Sequence, residues 1–295
     1  GRWSEELAGL FGISQSVLPE PVTSSYSYGM LNASGVSAPL QIVTGDQSAA
    51  LFAFGELRSN TVYANLGTGA FLQRPLGPEP VSAPGLLNSV VYSDNERTDY
   101  VLEGTVNGAG SAVNYMAHEL QLAPKWVETH LAQSLDEVAE PPLFLNGVSG
   151  LGAPWWIADF RSHFLCASED SASPSQDAAE KMTAVIESIV FMLQTNFELC
   201  VAAAGMPERW LLSGGLSALD GLCQRLADIS GVPVMRPDVD EATACGVSYL
   251  LGVGSSLPAP DADESVFVPQ TNPNLEHRYL RWRYAMAECI TAECN

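Results

Sequence analysis

The amino-acid sequence predicts an α/β fold, and three features of its 295 residues support that prediction. Between residues 60 and 100, short runs of β-branched and aromatic residues are separated by Gly, Asn and Asp, as in strands joined by turns. From residue 176 to 204, apolar residues recur at three- and four-residue steps, which is typical of a long core-facing helix. Strand-like and helix-like stretches then alternate up to residue 251. Strands followed by such alternation favour an α/β domain and leave the order of strands in the sheet open.

The first part of the chain is predicted to combine a helix, a strand and a second helix. Residues 3–18 have the pattern of a short helix and loop, which two prolines end. Residues 40–43 have the apolar character of a short buried strand, which leads into Gly45-Asp46-Gln47. The small and apolar residues 48–55 are compatible with a helix that a glycine ends.

The middle of the chain is predicted to hold strands first and helices afterwards. The predicted strands are residues 61–65, 70–73, 89–92 and 100–102, with Gly67-Thr68-Gly69 as the turn between the first two. After Glu103 the period becomes helical, and one helical face is predicted to carry Val106, Ala109, Val113 and Met116. A further helix at residues 125–132 and a strand with a Gly-rich loop at residues 141–154 follow.

The last part of the chain is predicted to alternate helices and strands. The long helix at residues 176–204 has a start signal in Pro174-Ser175 and a stop signal in Gly205. The elements predicted after it are a strand at 210–212, a helix with Leu222, Leu226 and Ile229 on one face, a strand at 232–234, a helix at 241–251, a Pro- and Asp-rich linker at 257–263 and a helix at 275–292.

Composition and charge exclude several classes of function. The net charge of −21 opposes binding to DNA or RNA, because nucleic-acid affinity depends on Lys and Arg that neutralise phosphates. No apolar run suggests a membrane span, and the start carries no signal-peptide pattern. The four histidines and six cysteines show no metal-ligand spacing, and Cys200, Cys223 and Cys245 lie among apolar residues as small core residues do. The sequence therefore predicts a cytoplasmic protein with no metal-ligating residues and no nucleic-acid or membrane partner.

Six short segments occur in the order that one enzyme family shows. They are residues 42–52 around Gly45-Asp46-Gln47, 65–69 around Gly67-Thr68-Gly69, 100–104 with Gly110, 150–156, 213–217 around Gly214-Gly215, and 236–246 with Arg-Pro-x-x-x-Glu-x-Thr-Ala-x-Gly. Each segment alone is weak, whereas the ordered set resembles the C-terminal half of the FGGY family of carbohydrate kinases, nearest in motif to the glycerol kinase grouping. The resemblance implies an actin-like, ribonuclease-H-like α/β fold.

The resemblance implies that Asp46 is the catalytic base and that Asp46 and Gln47 bind the substrate. Transfer of a phosphoryl group to a hydroxyl needs a positioned acceptor for the hydroxyl proton, and a carboxylate at a strand end can supply it. The alternative is that Asp46 caps the helix after it, which Asp often does, and the two roles are compatible.

The resemblance also implies that Gly67, Thr68, Gly110, Asn114 and Gly215 contact ATP. Glycines let backbone N–H groups approach phosphate oxygens, and the Thr68 hydroxyl adds a donor. For the two glycine turns the alternatives are a hairpin turn and a strand-to-helix turn, and for Gly110 a helix-packing glycine.

Two positions depart from the family pattern. Leu219 stands where a family member has an Asn, so Asp220 is the candidate for the adenine contact. Ile157 stands where the family has an acidic residue, so no catalytic role is assigned to the loop that contains it.

The resemblance implies ATP and Mg²⁺ as cofactors and a small polyol or sugar as substrate, with glycerol or a pentulose favoured. It implies three regions: residues 1–55 end a first, sugar-binding domain, residues 56–256 form the nucleotide-side domain, and residues 257–295 are a linker and a C-terminal helix. No Asp-x-Gly-Thr phosphate loop is present, so the N-terminal half of a longer kinase is the expected partner. A homodimer is a further assembly that the sequence leaves open. Two alternatives from other classes are a non-catalytic binding or regulatory protein with a decayed kinase fold, and an actin- or Hsp70-like ATPase.

Overall fold

The structure is a computed structural model that describes residues 1–166, 175, 177–239, 241–253 and 264–293. The predicted linker at residues 257–263 and the start signal at Pro174 lie outside the described residues.

The described chain contains strands and helices in an order that mixes the two. The strands are β1 (Ser25–Ala33), β2 (Val36–Ile42), β3 (Thr61–Leu66), β4 (Ala70–Gly77), β5 (Leu87–Ser93), β6 (Thr98–Val106), β7 (Leu143–Leu145), β8 (His163–Leu165), β9 (Arg209–Ser213), β10 (Val234–Pro237) and β11 (Glu264–Phe267). The α-helices are α1 (Glu5–Leu10), α2 (Asp46–Leu51), α3 (Gly110–Glu119), α4 (Pro124–Glu137), α5 (Ala178–Ala204), α6 (Asp220–Ser230), α7 (Ala242–Leu250) and α8 (Pro273–Glu293). Most of the predicted elements are therefore confirmed in type and place.

A seven-stranded mixed sheet with the order β11-β10-β9-β3-β4-β6-β5 forms the centre of the molecule. Strands β3, β9 and β10 run parallel, and the remaining neighbours are antiparallel. Strand β6 therefore runs in the same direction as β3, because each of them is antiparallel to β4. The carboxyl ends of β3, β6, β9 and β10 consequently meet at one edge of the sheet. The predicted α/β fold is confirmed.

Helix α5 forms the core layer that covers this sheet. It packs against β4, β6 and β7 and against the helices α3, α4 and α6. Its predicted stripe is buried except for the partly buried Val201, as Ile186, Ile189 and Leu193 at 0% exposure illustrate. Its N-cap is Asp177, whose carboxylate accepts a hydrogen bond from the Glu180 amide, and Gly205 ends it with φ +76°.

The apolar character of α5 bears on the expectation that no segment could span a membrane. By length and composition, helix α5 is long and apolar enough to span a membrane, so the prediction that no apolar run could do this is corrected. Within the protein, however, 78% of its most apolar stretch is buried. Its hydrophobicity is accounted for by the core of the α/β domain.

Two of the cysteines predicted for the core are buried there, and a third is not. Burial raises the pKa of the Cys200 and Cys223 thiols to about 12, so both stay protonated at neutral pH. Cys245 is only half-buried, because its helix α7 lies at the margin of the domain and buries Gly246 alone.

The strand predicted at residues 40–43 is confirmed up to Ile42, whereas the prediction that it is buried is wrong. Strand β2 ends at Ile42 and pairs with β1 as a separate two-stranded hairpin, so it has no place in the central sheet. Val43 is 49% exposed, and no residue of β1 or β2 is fully buried. The segment is therefore a mostly apolar strand that lies outside the buried core.

Several element boundaries also differ from the prediction, and two of them lie near the candidate site. Strand β6 continues to Val106, because its ladder with β4 extends to the Ala70–Val106 pair, and α3 begins only at Gly110. The strand predicted at residues 232–234 is displaced to β10, where Val234 pairs with Trp210 of β9 and with Phe267 of β11.

Candidate functional site

The Gly67-Thr68-Gly69 turn leaves the central sheet at the end of β3 and packs against the first turn of α3. The Gly110 amide donates to the Gly67 carbonyl at 2.9 Å, and the Ser111 amide donates to the Thr68 carbonyl at 3.0 Å. A Cβ at Gly110 would lie 2.7 Å from the Gly67 oxygen, so only glycine permits this approach. The carbonyls of the turn thus satisfy the first amides of the helix, while the Thr68 side chain is exposed.

The Gly214-Gly215 turn lies beside the first turn, because β9 is the parallel neighbour of β3. Asn65 and Ser213 are partners in the ladder, and the Asn65 amide group donates to the Ser213 hydroxyl at 3.3 Å. Gly214 has φ +87°, and a Cβ there would lie 2.7 Å from the Leu66 backbone. The two glycine turns therefore meet at the carboxyl ends of adjacent parallel strands, where open α/β sheets commonly bind ligands.

Within the second turn the two glycines have different surroundings. Gly214 makes the close approach to Leu66, although Gly215 was the residue singled out from the sequence. Gly215 begins a short 3-10 helix, Gly215–Ala218, and no atom lies within 4 Å of a Cβ placed on it. Its backbone is therefore open to a bound molecule.

A cavity of about 1150 Å³ opens beside these turns. Its wall includes Asn65, Ser213, Gly214, Arg236, Glu241 and Thr243, which come from β3, β9, β10 and the start of α7. Gly214 is thus shared by the second glycine turn and the cavity, whereas Gly67, Thr68, Gly110 and Gly215 are not part of its wall.

Arg236 organises one side of the cavity. Its guanidinium donates to the Ser217 carbonyl at 2.8 Å, to the Asp220 carboxylate at 2.7 Å and to the Ser265 hydroxyl at 3.1 Å. The same group lies 5.4 Å from the ring centre of Phe267. Arg236 therefore connects β10 and β11 to the segment that follows the second glycine turn.

Asp220 and Asn114 lie near these elements without lining the cavity. Asp220 is the first residue of α6, and its carboxylate is 74% exposed while paired with Arg236. Asn114 lies on α3, where its side chain is exposed. The structure thus brings both residues to elements that begin at the same edge of the sheet, and their predicted contact with ATP stays a prediction.

Asp46 and Gln47 begin helix α2, which packs against α7. The Asp46 carboxylate is exposed and accepts a hydrogen bond from the adjacent Gln47 amide at 2.8 Å. The N-cap position belongs to Gly45, so the alternative in which Asp46 caps the helix is wrong: Asp46 is already the first helical residue. Neither residue lines the cavity, which α2 reaches one turn later through Ala50.

Several residues that line this cavity have no binding or catalytic role predicted from the sequence. Arg236, Glu241 and Thr243 all belong to the Arg-Pro-x-x-x-Glu-x-Thr-Ala-x-Gly segment, and Asn65 directly precedes the Leu66-Gly67 step. The signal that could have identified them is that they belong to the segments 65–69 and 236–246. Only the sheet order shows that these two distant segments face one cavity.

The family model described as "FGGY family of carbohydrate kinases, C-terminal domain" matches residues 62–255. A glycerol kinase from Cereibacter sphaeroides is 32% identical over 97% of this chain and 60% of its own length. Among solved structures, Plasmodium falciparum glycerol kinase with ADP aligns with a TM-score of 0.79 at 21% identity, covering 98% of this chain and 60% of that one. Xylulose kinase from Rhodospirillum rubrum aligns with a TM-score of 0.76 at 19% identity, covering 97% of this chain and 60% of that one.

The chain thus spans about 60% of the length of these relatives. The family model covers residues 62–255, which is well over half of the chain, and it includes both glycine turns and α7. On this match, the chain belongs to the FGGY family of carbohydrate kinases.

Proposed function

We propose that the complete protein containing this chain transfers the γ-phosphoryl group of ATP to a hydroxyl of a small polyol or sugar. The proposal rests on one arrangement, in which two glycine turns meet beside a cavity of about 1150 Å³. Helix α2, which begins at Asp46, packs on helix α7, which borders that cavity. Family membership supports the same reaction class.

ATP is proposed to lie along the edge formed by the two turns. Within the described residues, no acceptor is paired with the backbone amides of Thr68 and Gly69, so both are available to phosphate oxygens. Gly67, Thr68 and Gly110 would then face the phosphates, and Gly215 the adenosine, with Asn114 and Asp220 as further polar contacts. The cavity volume is sufficient for a nucleotide, since ligand sites usually measure about 300–1,000 Å³.

Mg²⁺ is proposed to accompany ATP rather than to occupy a site built by protein side chains. The described residues contain no group of three or more His, Cys, Asp or Glu side chains that could hold a metal ion. This fits Mg²⁺, which often binds through one or two carboxylates together with substrate phosphates and water. When bound, the ion would offset negative charge on the phosphates.

Asp46 is proposed to act as general base and, with Gln47, to bind the acceptor. The carboxylate would accept the proton of the substrate hydroxyl while that oxygen attacks the γ-phosphorus and ADP leaves. Its place at the start of α2, exposed and free of any ion pair in the described chain, is compatible with this role.

Glycerol or a pentulose is the proposed acceptor. Two of the three similar proteins reported above are glycerol kinases, and the third is a xylulose kinase. We also propose the division of the chain into residues 1–55, 56–256 and 257–295, a cytoplasmic location, and a homodimer as a further assembly.

The rest of a longer kinase is the proposed partner of the N-terminal region. Tyr26, Met30 and Leu31 of the β1–β2 hairpin are 49%, 59% and 54% exposed, and Phe11 after α1 is 73% exposed. Large apolar side chains gathered on one exposed segment mark an interaction surface. A domain that covers this hairpin would supply the second wall of the cleft that Asp46 needs.

The substitution Asp46→Asn in the complete protein tests the proposed base. We expect kcat to fall by about 10²–10⁴-fold, because the amide cannot accept the proton, while ATP affinity is largely retained because the turns are untouched. Steady-state kinetics and calorimetric titration with ATP measure the two quantities. Asp136→Asn, the same charge change at an exposed position of α4, is the matched control and should leave both unchanged. Normal turnover in the Asp46 variant would end the proposal.

A further inference from the structure

Helix α7 connects the wall of the cavity to the helix that begins at Asp46. Glu241, the N-cap of α7, has φ +56°, a left-handed conformation that is costly for a residue with a Cβ. Glu241, Ala242 and Thr243 all line the cavity, so the start of α7 is part of its wall.

Helices α7 and α2 are in direct backbone contact. Gly246 is buried against Ala49, where a Cβ would lie 2.6 Å from the Ala49 carbonyl carbon. One turn later, the rings of Tyr249 and Phe52 stack with their centres 6.4 Å apart. This contact leaves little room for α2 to move relative to α7.

Thr243 adds a directional bond at the start of α2. Its hydroxyl donates to the carbonyl of Asp46 at 3.2 Å. Thr243 is the one described side chain outside residues 44–47 that hydrogen-bonds this first turn, since the Asp46 carboxylate itself accepts only from the neighbouring Gln47 amide. Besides the packing of α2 on α7, the Thr243 hydroxyl is therefore the side-chain hydrogen bond that joins the Asp46 backbone to the cavity wall in the described chain.

We propose that Thr243 is a positioning residue for Asp46, an inference that rests on the function proposed above. The Thr243 hydroxyl holds the Asp46 backbone at a set distance from the wall where ATP is proposed to bind. Small displacements of a reacting group cost large factors in rate, so loss of this hydroxyl should act on the chemical step. Thr243 lines the cavity, but its hydroxyl is bonded to the Asp46 carbonyl and a valine would keep its shape, so ATP binding should change little.

Paired substitutions at Thr243 in the complete protein test the proposal. Thr243→Val removes the hydroxyl and keeps the shape, and Thr243→Ser keeps the hydroxyl. We expect kcat to fall about tenfold in the Val variant with KM for ATP unchanged, and to stay near the wild-type value in the Ser variant. A wild-type kcat for the Val variant, an equal loss in both variants, or a loss that appears only in KM for ATP would each overturn the proposal.

Amide hydrogen exchange separates failure of this inference from failure of the proposed function. If no polyol or sugar supports turnover in the wild type, the proposed function fails, and the exchange of α2 amides still reports on the Thr243 bond. The Val variant should then exchange its α2 amides several-fold faster than the Ser variant and the wild type, as expected when a local structure opens more often. Equal exchange in all three proteins would overturn the positioning role.

Discussion

Glu187 is a charged residue enclosed within the helical layer, with a side chain only 2% exposed. Its carboxylate accepts hydrogen bonds from Arg278 at 2.7 and 2.9 Å and from Arg225 at 3.2 Å. Both arginines also donate to main-chain carbonyls, Arg225 to Leu135 and Arg278 to Ala139. This buried group of three therefore joins α5, α6 and α8 to the end of α4.

Replacement of Glu187 by Gln should destabilise the protein strongly. The amide keeps the shape and removes the negative charge, so two enclosed guanidinium groups lose their only carboxylate among the described residues. Removal of one partner from a buried ion pair costs about 3–5 kcal/mol. The free energy of unfolding from urea titration measures the effect.

A matched control for this variant is Glu119→Gln. Glu119 is 53% exposed and lies 3.7 Å from a histidine on the surface, so its replacement should change the free energy of unfolding by less than about 0.5 kcal/mol. Equal effects of the two substitutions would contradict the structural role given to Glu187.

At the scale of elements, the α2–α7 contact is the feature most sensitive to a small change. Substitution of Gly246 by Ala would place a methyl group against the Ala49 carbonyl, where backbone cannot move aside cheaply. We expect a loss of about 1–3 kcal/mol in the free energy of unfolding, as for other overpacked sites. Gly215→Ala is the matched control for stability, because nothing lies within 4 Å of its added Cβ. A Gly246 variant as stable as the Gly215 variant would show that the two helices are not so tightly packed.

Elements with strong local patterns were predictable from the sequence, and those defined by tertiary pairing were not. Helix α5 was found from its apolar spacing because all of that stripe faces one core. The mostly apolar residues 40–43 predict a buried strand, yet burial depends on a covering layer that local composition does not describe. The end of β6 at Val106 was missed for a related reason, since the ladder with β4 decides where the strand stops.

The candidate site shows the same limit. Gly67, Thr68 and Gly214 belong to motifs that can be recognised in the sequence, because tight turns need particular residues. The contact of Thr243 with Asp46 joins residues 197 positions apart, and nothing local to either residue predicts it. The register of Asn65 with Ser213 is likewise a property of the sheet.

At the scale of the whole molecule, the charge agrees with the proposed binding of a small anionic ligand at one local site. The net charge of −21 would repel a polyanion, whereas a nucleotide at a turn is held mainly by backbone amides. The chain spans about 60% of its relatives' length, and the N-terminal hairpin exposes apolar residues. The proposed cleft therefore needs a second wall that this chain does not supply.

The release of ADP by the complete protein, measured with ATP and a panel of polyols and sugars, tests the proposed phosphoryl transfer. We expect glycerol or a pentulose to raise ADP release well above the rate with ATP alone, and Asp46→Asn to abolish most of this increase. Equal rates with and without every acceptor would contradict it: ATP hydrolysis alone would indicate an actin- or Hsp70-like ATPase, and no release at all a protein that only binds.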